Sequence, residues 1–219
     1  ASDMRHFVPL LRQLHEQHPG METETASADK GYDSGENVER AWREEVEGKP
    51  LHIRAVIAQR DLPTPEEPFE DGRHFCDLVL RKDGGLCCQR EIRNAAGKVE
   101  RPLTEMAWVG FEADRECHKF RCPARTYGLE CRRHQECNAR LSQGRTVRVP
   151  CEGRWRMLPP LPFKSMKWER IYRRRTSVER VFGRLKGPLG LEQLPVRGEA
   201  AVTLRATLGL LVLVGLALW

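Results

Sequence analysis

The chain has 219 residues, of which 40% are hydrophobic and 31% charged, with a net charge of +6. That length allows one domain with a real core, or one domain carrying a large insertion, and the composition is that of an ordinary globular protein. The charge is concentrated: residues 140–190 hold 14 Arg or Lys against Glu152, Glu169 and Glu179, a local balance of +11, so the rest of the chain sums to −5. Such a patch fits a surface that meets a phosphate backbone, or a solvated basic face, or a contact with an acidic partner. Eight cysteines fall at 76, 87, 88, 117, 122, 131, 137 and 151. No charged leader followed by an apolar run opens the chain, which argues against a secreted, disulfide-built protein and prompts a search for metal-ligand spacing. The opening at Ala1, without an initiator Met, reads as a trimmed boundary.

In chain order, Met4 to His18 reads as a short helix with Phe7, Leu10, Leu11 and Leu14 as its apolar positions, ended by Pro19-Gly20. A strand is expected over Glu22 to Ala28, delivering Asp29 at its carboxyl end. Gly31 permits a turn, Asp33 or Ser34 caps the next helix, and that helix runs to about Glu47 with Val38, Trp42 and Val46 inward. Leu51 to Ala58 reads as a second strand, and strand, helix, strand in that order argues for an α/β unit. A Pro-rich acidic loop follows over Asp61 to Pro68. His74 to Leu80 and Leu86 to Ile92 then pair across Lys82-Asp83-Gly84-Gly85. Val147 and Val149 mark a further short strand, and Pro159, Pro160 and Pro162 a boundary. Helix is expected from about Met166, broken at Gly187-Pro188 and Gly190, and again from about Glu199. The run Ala200 to Trp219 contains Arg205 with 14 residues after it. A spanning helix needs about 20 mainly apolar residues, so a buried core helix is expected and no membrane contact, with Gly209 and Gly215 allowing close packing.

The basic helix carries a pattern. At about 100° per residue, Tyr172, Arg175, Glu179 and Lys186 share a sector of about 60°. Val178, Val181, Phe182 and Leu185 form the buried side beside it, and Arg173, Arg180 and Arg184 face outward. Glu179 either pairs with Arg175 four residues earlier, or it holds a divalent metal while Arg175 and Lys186 grip phosphates. Asp29, in A-D-K-G-Y-D-S, stands where α/β sheets bind ligands, though Asp before Gly is also a common turn signal. Two carboxylates on two elements can share Mg²⁺, and two-metal sites drive in-line displacement at phosphorus.

Tyr172-x2-Arg175-x3-Glu179-x6-Lys186 matches the Y-(2)-R-(3)-E-(6)-K signature of bacterial insertion-sequence transposases of the DDE type. A-D-K-G-Y-D-S resembles the segment around that family's second catalytic Asp. The resemblance covers residues 22–58 and 163–219, and Asp3 to Leu14 in part. It implies an α/β fold with a ribonuclease-H-like core, divided as 1–58 and 163–219 around a Cys-rich, partly β insertion at 59–162, before the last catalytic helix. It implies Asp29 and Glu179 as catalytic ligands of two Mg²⁺, and hydrolytic nicking and strand transfer on double-stranded DNA in transposition. Tyr172, Arg175 and Lys186 would contact the transposon end, with Arg173, Arg180 and Arg184 as further DNA contacts. A homodimer in the bacterial cytoplasm, at the nucleoid, is implied as well. The chain departs from the family in one respect: nothing upstream of Asp29 offers the strand-borne first Asp. That ligand and the DNA-recognition region are expected outside these 219 residues, and the chain alone is expected to be inactive.

Within the insertion, Cys117-x4-Cys122-x8-Cys131-x5-Cys137 could supply a tetrahedral Zn²⁺ site, with His118 and His134 interleaved and Cys87 or Cys88 as a substitute ligand. Buried cysteine thiols are the other reading. The alternative for the whole chain is a non-catalytic nucleic-acid-binding module with a zinc-stabilised insert.

Overall fold

The computed structural model describes residues 3–61, 66–72, 77–139, 144–191, 193 and 197–217. These divide into two compact units, 1–168 and 169–219, each taken by itself below. The fold is α/β with several open sheets.

After a 3₁₀ turn at Asp3–His6, helix α1 (Phe7–Gln17) buries Phe7, Val8 and Leu11, each contributing about 2 kcal/mol by its removal from water. Leu10, expected inward, is exposed, and Val8 takes its place in the core. Strand β1 (Thr25–Ala28) leads through a 3₁₀ turn, Lys30–Tyr32, to α2 (Gly35–Arg43). Ser34 is the α2 cap: its Oγ accepts from Asn37 N at 3.0 Å. Glu36 in the first turn and Arg40 and Arg43 in the last complement the helix dipole.

The helix stops four residues short of its expected end. Strands β2 (Glu45–Val46) and β3 (Lys49–Pro50) form a hairpin whose two turn residues, Glu47 and Gly48, have φ of 53° and 74°. Positive φ at both positions is the hairpin-turn geometry that matches strand twist, and it carries Val46 off the helical face. Strand β4 (Arg54–Ile57) then lies parallel to β1, with Thr25 opposite Arg54 and Ala28 opposite Ile57. The expected strand, helix, strand unit is present.

Residues 59–162 are richer in strand than their sequence suggested. Strands β5 (Glu67–Phe69), β6 (Leu78–Leu80), β7 (Leu86–Gln89) and β10 (Leu103–Glu105) make one antiparallel sheet in the order β10-β7-β6-β5. Between them, β8 (Ile92–Arg93) and β9 (Val99–Glu100) form a hairpin. The β6–β7 connection is the expected Lys82–Gly85 turn, and Gly84 is required there. Its φ is +82°, and a Cβ would collide with the Met157 carbonyl. The expected strand from His74 is described only from Leu78, since 73–76, Cys76 included, lie outside the described residues. A second sheet orders β11 (Ala107–Glu112), β12 (Cys117–Arg121) and β13 (Thr146–Pro150) antiparallel, with the short helices α3 (Pro123–Tyr127) and α4 (His134–Asn138) between the last two strands. One core joins all of this to the N-terminal segment: Phe7, Trp42 and Ile57 share it with Leu80, Phe120, Val149 and Leu158.

Helix α5 (Met166–Tyr172) begins where Ser165 Oγ accepts from Trp168 N at 3.3 Å. In the second unit α6 (Arg175–Lys186) and α7 (Glu199–Ala217) pack at Gly209, where an added Cβ would stand 2.9 Å from Leu185 Cδ2. Gly215, the other expected close-packing glycine, has nothing within 4 Å of such a Cβ. The expectation of a buried core helix fails for α7. Its apolar side chains are spread around the helix and most stay open, with Leu211 at 62% exposed. Among the described residues no helix is long and apolar enough to cross a membrane.

Candidate functional site

The sequence pattern predicts one continuous helix from Met166 to Lys186, but the chain turns at Arg173 and Arg174, so Tyr172 ends α5 and Arg175 opens α6. Three of the four signature side chains still meet. Arg175 Nη1 donates to the Tyr172 hydroxyl at 2.9 Å, its guanidinium lies 5.8 Å from the Tyr172 ring centre, and its Nη2 stands 3.2 Å from Glu179 Oε1. Within α6 alone, Arg175, Glu179 and Lys186 keep one stripe at helical spacing. Arg180, Arg184 and Lys186 are exposed, and Arg173 pairs with Glu169 at 3.4 Å. The expected buried flank is mostly open: Leu185 is 4% exposed, whereas Phe182 is 55% exposed and Val178 and Val181 are exposed as well. The packing at Gly209 is against Leu185.

Asp29 caps the 3₁₀ turn after β1, its Oδ1 accepting from Gly31 N at 2.8 Å. It belongs to the first unit and Glu179 to the second. Asp33, expected as a helix cap, has a different role. At 3% exposure it accepts from Arg60 N at 2.7 Å and from Arg156 Nη2 and Nε at 2.8 and 3.1 Å. Arg156 also donates to the Arg60 carbonyl at 2.7 Å, and Gln59 Nε2 donates to the Arg156 carbonyl at 2.7 Å. This knot ties the carboxyl end of β4 to a segment about 100 residues later.

Beside the knot, beyond the carboxyl end of β4, a cleft of about 720 Å³ opens. Arg60, Lys82, Arg156 and Lys164 give it cations, and Trp108 and Phe163 give it aromatic surface. Its wall includes His118, buried to 1% exposure, whose Nδ1 accepts from Trp108 Nε1 at 2.9 Å. Burial pushes the imidazole pKa down to about 4, opposed by the nearby carbonyls of Leu158 and Pro159, so the ring is neutral at pH 7 with its proton on Nε2. No local pattern marks Asp33, Arg156 or the Trp108–His118 pair. Each depends on a partner from another strand or segment.

The cysteines separate into two places. Cys117, on β12, donates weakly to Glu112 Oε2 at 3.7 Å, and burial and then that carboxylate push its thiol pKa up. Glu112 is in turn held at about 2, first by Arg148, whose Nε lies 2.7 Å away, with Lys119 at 3.3 Å. Cys122, Cys131 and Cys137 instead line a cavity of about 20 Å³, and there they are joined by Cys88 and His134, not by Cys117. None of the seven described cysteines forms a disulfide. Among the described residues, no three His, Cys, Asp or Glu side chains stand close enough together to hold a metal ion as they are placed.

Residues 112–214 match the family model described as "Transposase DDE domain". That segment includes β12, β13, α5, α6 and most of α7, and over it the chain is similar to DDE transposase domains. No curated protein and no solved structure matches the chain.

Proposed function

We propose that the chain is a catalytic-domain portion of a DDE-type transposase, which grips double-stranded DNA with α6 and, in the intact protein, cuts and joins it with Mg²⁺. The observation that carries this reading is the contact chain Tyr172–Arg175–Glu179 on a basic helix inside the matched segment. Arg175 is oriented by the Tyr172 hydroxyl and paired with Glu179, the first of the two expected arrangements, and a metal that draws Glu179 away would release the guanidinium to a phosphate. Arg180, Arg184 and Lys186 on α6, with Arg173 in the turn before it, add positive charge and neutralise neighbouring phosphates.

Asp29 and Glu179 are each hard oxygen donors of the kind Mg²⁺ selects. When bound, a Mg²⁺ pair supplies an activated water or 3′-hydroxyl and offsets charge on the departing oxygen. In this reading 1–58 and 163–219 contribute to a ribonuclease-H-like core around the 59–162 insertion, and a homodimer holds paired element ends at the bacterial nucleoid.

The test is Glu179→Gln in the intact transposase, assayed on a duplex carrying the element end. Mg²⁺-dependent nicking should vanish while folding and DNA affinity persist. On the chain itself, Lys186→Ala should lower the salt slope of duplex binding by about 1. Nicking that survives Glu179→Gln refutes the catalytic assignment, and a duplex affinity indifferent to salt refutes the DNA-gripping one.

A further inference from the structure

We propose that Cys88, Cys122, Cys131 and Cys137 form a structural site for one soft divalent cation, Zn²⁺ in the cell. The inference stands apart from the transposase reading, since it uses only the cavity in residues 88–145. Three segments deliver the four thiols: β7, the residue between β12 and α3, and α4 with the turn leading into it. The space they enclose, about 20 Å³, has room for a single small occupant. Thiolates and imidazoles are the ligands that select zinc over Mg²⁺ or Ca²⁺, and a closed set of four suits a structural role.

The surrounding chemistry agrees. Asn138 Nδ2 donates to Cys122 Sγ at 3.8 Å while its Oδ1 accepts from Arg145 N at 2.6 Å, and a fixed donor to a ligating sulfur orients it. Arg90 and Arg133 also line the cavity and offset the negative charge that four thiolates bring. His134, three residues before Cys137, shares its helix face and stands beside the site. Helices α3 and α4 have five residues each and no side-chain cap, and helices that short do not hold themselves together in water. A metal cross-link supplies what these two helices lack.

Strand alternation decides between the adjacent cysteines of β7. Cys88 lines the cavity, whereas Cys87 takes the opposite face beside Arg81. Among the described residues, as the side chains are placed, no three donors stand together closely enough to hold a metal. A single χ1 change moves a cysteine sulfur by roughly 3 Å, enough to bring the thiols together in a cavity of this size.

The experiment is titration of the chelator-treated protein with Co²⁺, followed by displacement with Zn²⁺. One Co²⁺ per chain is expected, with the intense visible absorption of tetrahedral thiolate-bound cobalt, lost on adding Zn²⁺. Cys88→Ser and Cys131→Ser should abolish uptake, and Cys87→Ser and Cys117→Ser should retain it. Absence of uptake, a spectrum of fewer than three thiolates, or loss in Cys117→Ser with retention in Cys88→Ser overturns the assignment. Should a serine variant fail to fold, the stoichiometry and spectrum of the unmodified chain still decide.

Discussion

The buried His118 makes the stability of the first unit depend on pH between about 6.5 and about 4. Its imidazole is enclosed by Trp108, Phe111 and Phe120, at ring separations of 6.1, 5.4 and 6.5 Å, and it is held neutral by burial with a pKa of about 4 against 6.5 for the free group. Because the folded value is depressed, the unfolded chain binds a proton that the folded chain refuses. Unfolding free energy therefore falls as pH drops from about 6.5 to about 4, by roughly 1.4 kcal/mol per pH unit, and levels off below. At pH 4 the loss from this group is about 3 kcal/mol. His118→Asn places an amide oxygen near the former Nδ1 position, keeps an acceptor for Trp108, and cannot titrate. It should be less stable than the parent at pH 7 by about 1–3 kcal/mol, since it empties part of an aromatic nest. The gap should then close, and can reverse, on acidification. Urea denaturation followed by tryptophan fluorescence at pH 7, 6, 5 and 4 measures both chains under matched conditions. A gap that stays constant within about 0.5 kcal/mol across that range would refute the argument, since it would mean His118 accepts its proton in the folded state near the ordinary value.

Two further perturbations follow from the geometry. Asp33→Asn removes the charge that receives Arg156 and the Arg60 backbone, leaving a mostly buried guanidinium without its counter-ion, and should cost about 2–4 kcal/mol in thermal or urea unfolding. A cost below about 0.5 kcal/mol would show the knot to be incidental. In α7, Gly215→Ala meets open space and should gain up to about 1 kcal/mol of helix stability, whereas Gly209→Ala should forfeit that gain by pressing on Leu185. Equal shifts in melting temperature for the two variants would count against the described α6–α7 packing.

What the sequence makes legible here is what is decided within a few residues. The α/β unit shows in the spacing of Val38 and Trp42, the Ser34 cap needs only Asn37, and the Lys82–Gly85 turn carries its own glycines. Val46 obeys the same four-residue spacing and is nevertheless off the helix, because the Glu47–Gly48 hairpin turn wins over one more apolar position. The break at Arg173–Arg174 is less visible still, since arginine is a good helix former and nothing local announces a stop. Yet the contact that matters survived the break: Tyr172 reaches Arg175 across it. The cysteines show the opposite outcome. Counting along the chain groups Cys117 with Cys122, but β12 sends Cys117 toward Glu112, while pairing of β7 with β6 and β10 brings Cys88 from more than thirty residues upstream to the same cavity as Cys122. Linear spacing identifies ligand sets when they sit on one turn or one helix. Once strands carry them, alternation and register choose the members, and those are set by a core that Phe7, Trp42, Phe120 and Leu158 build together.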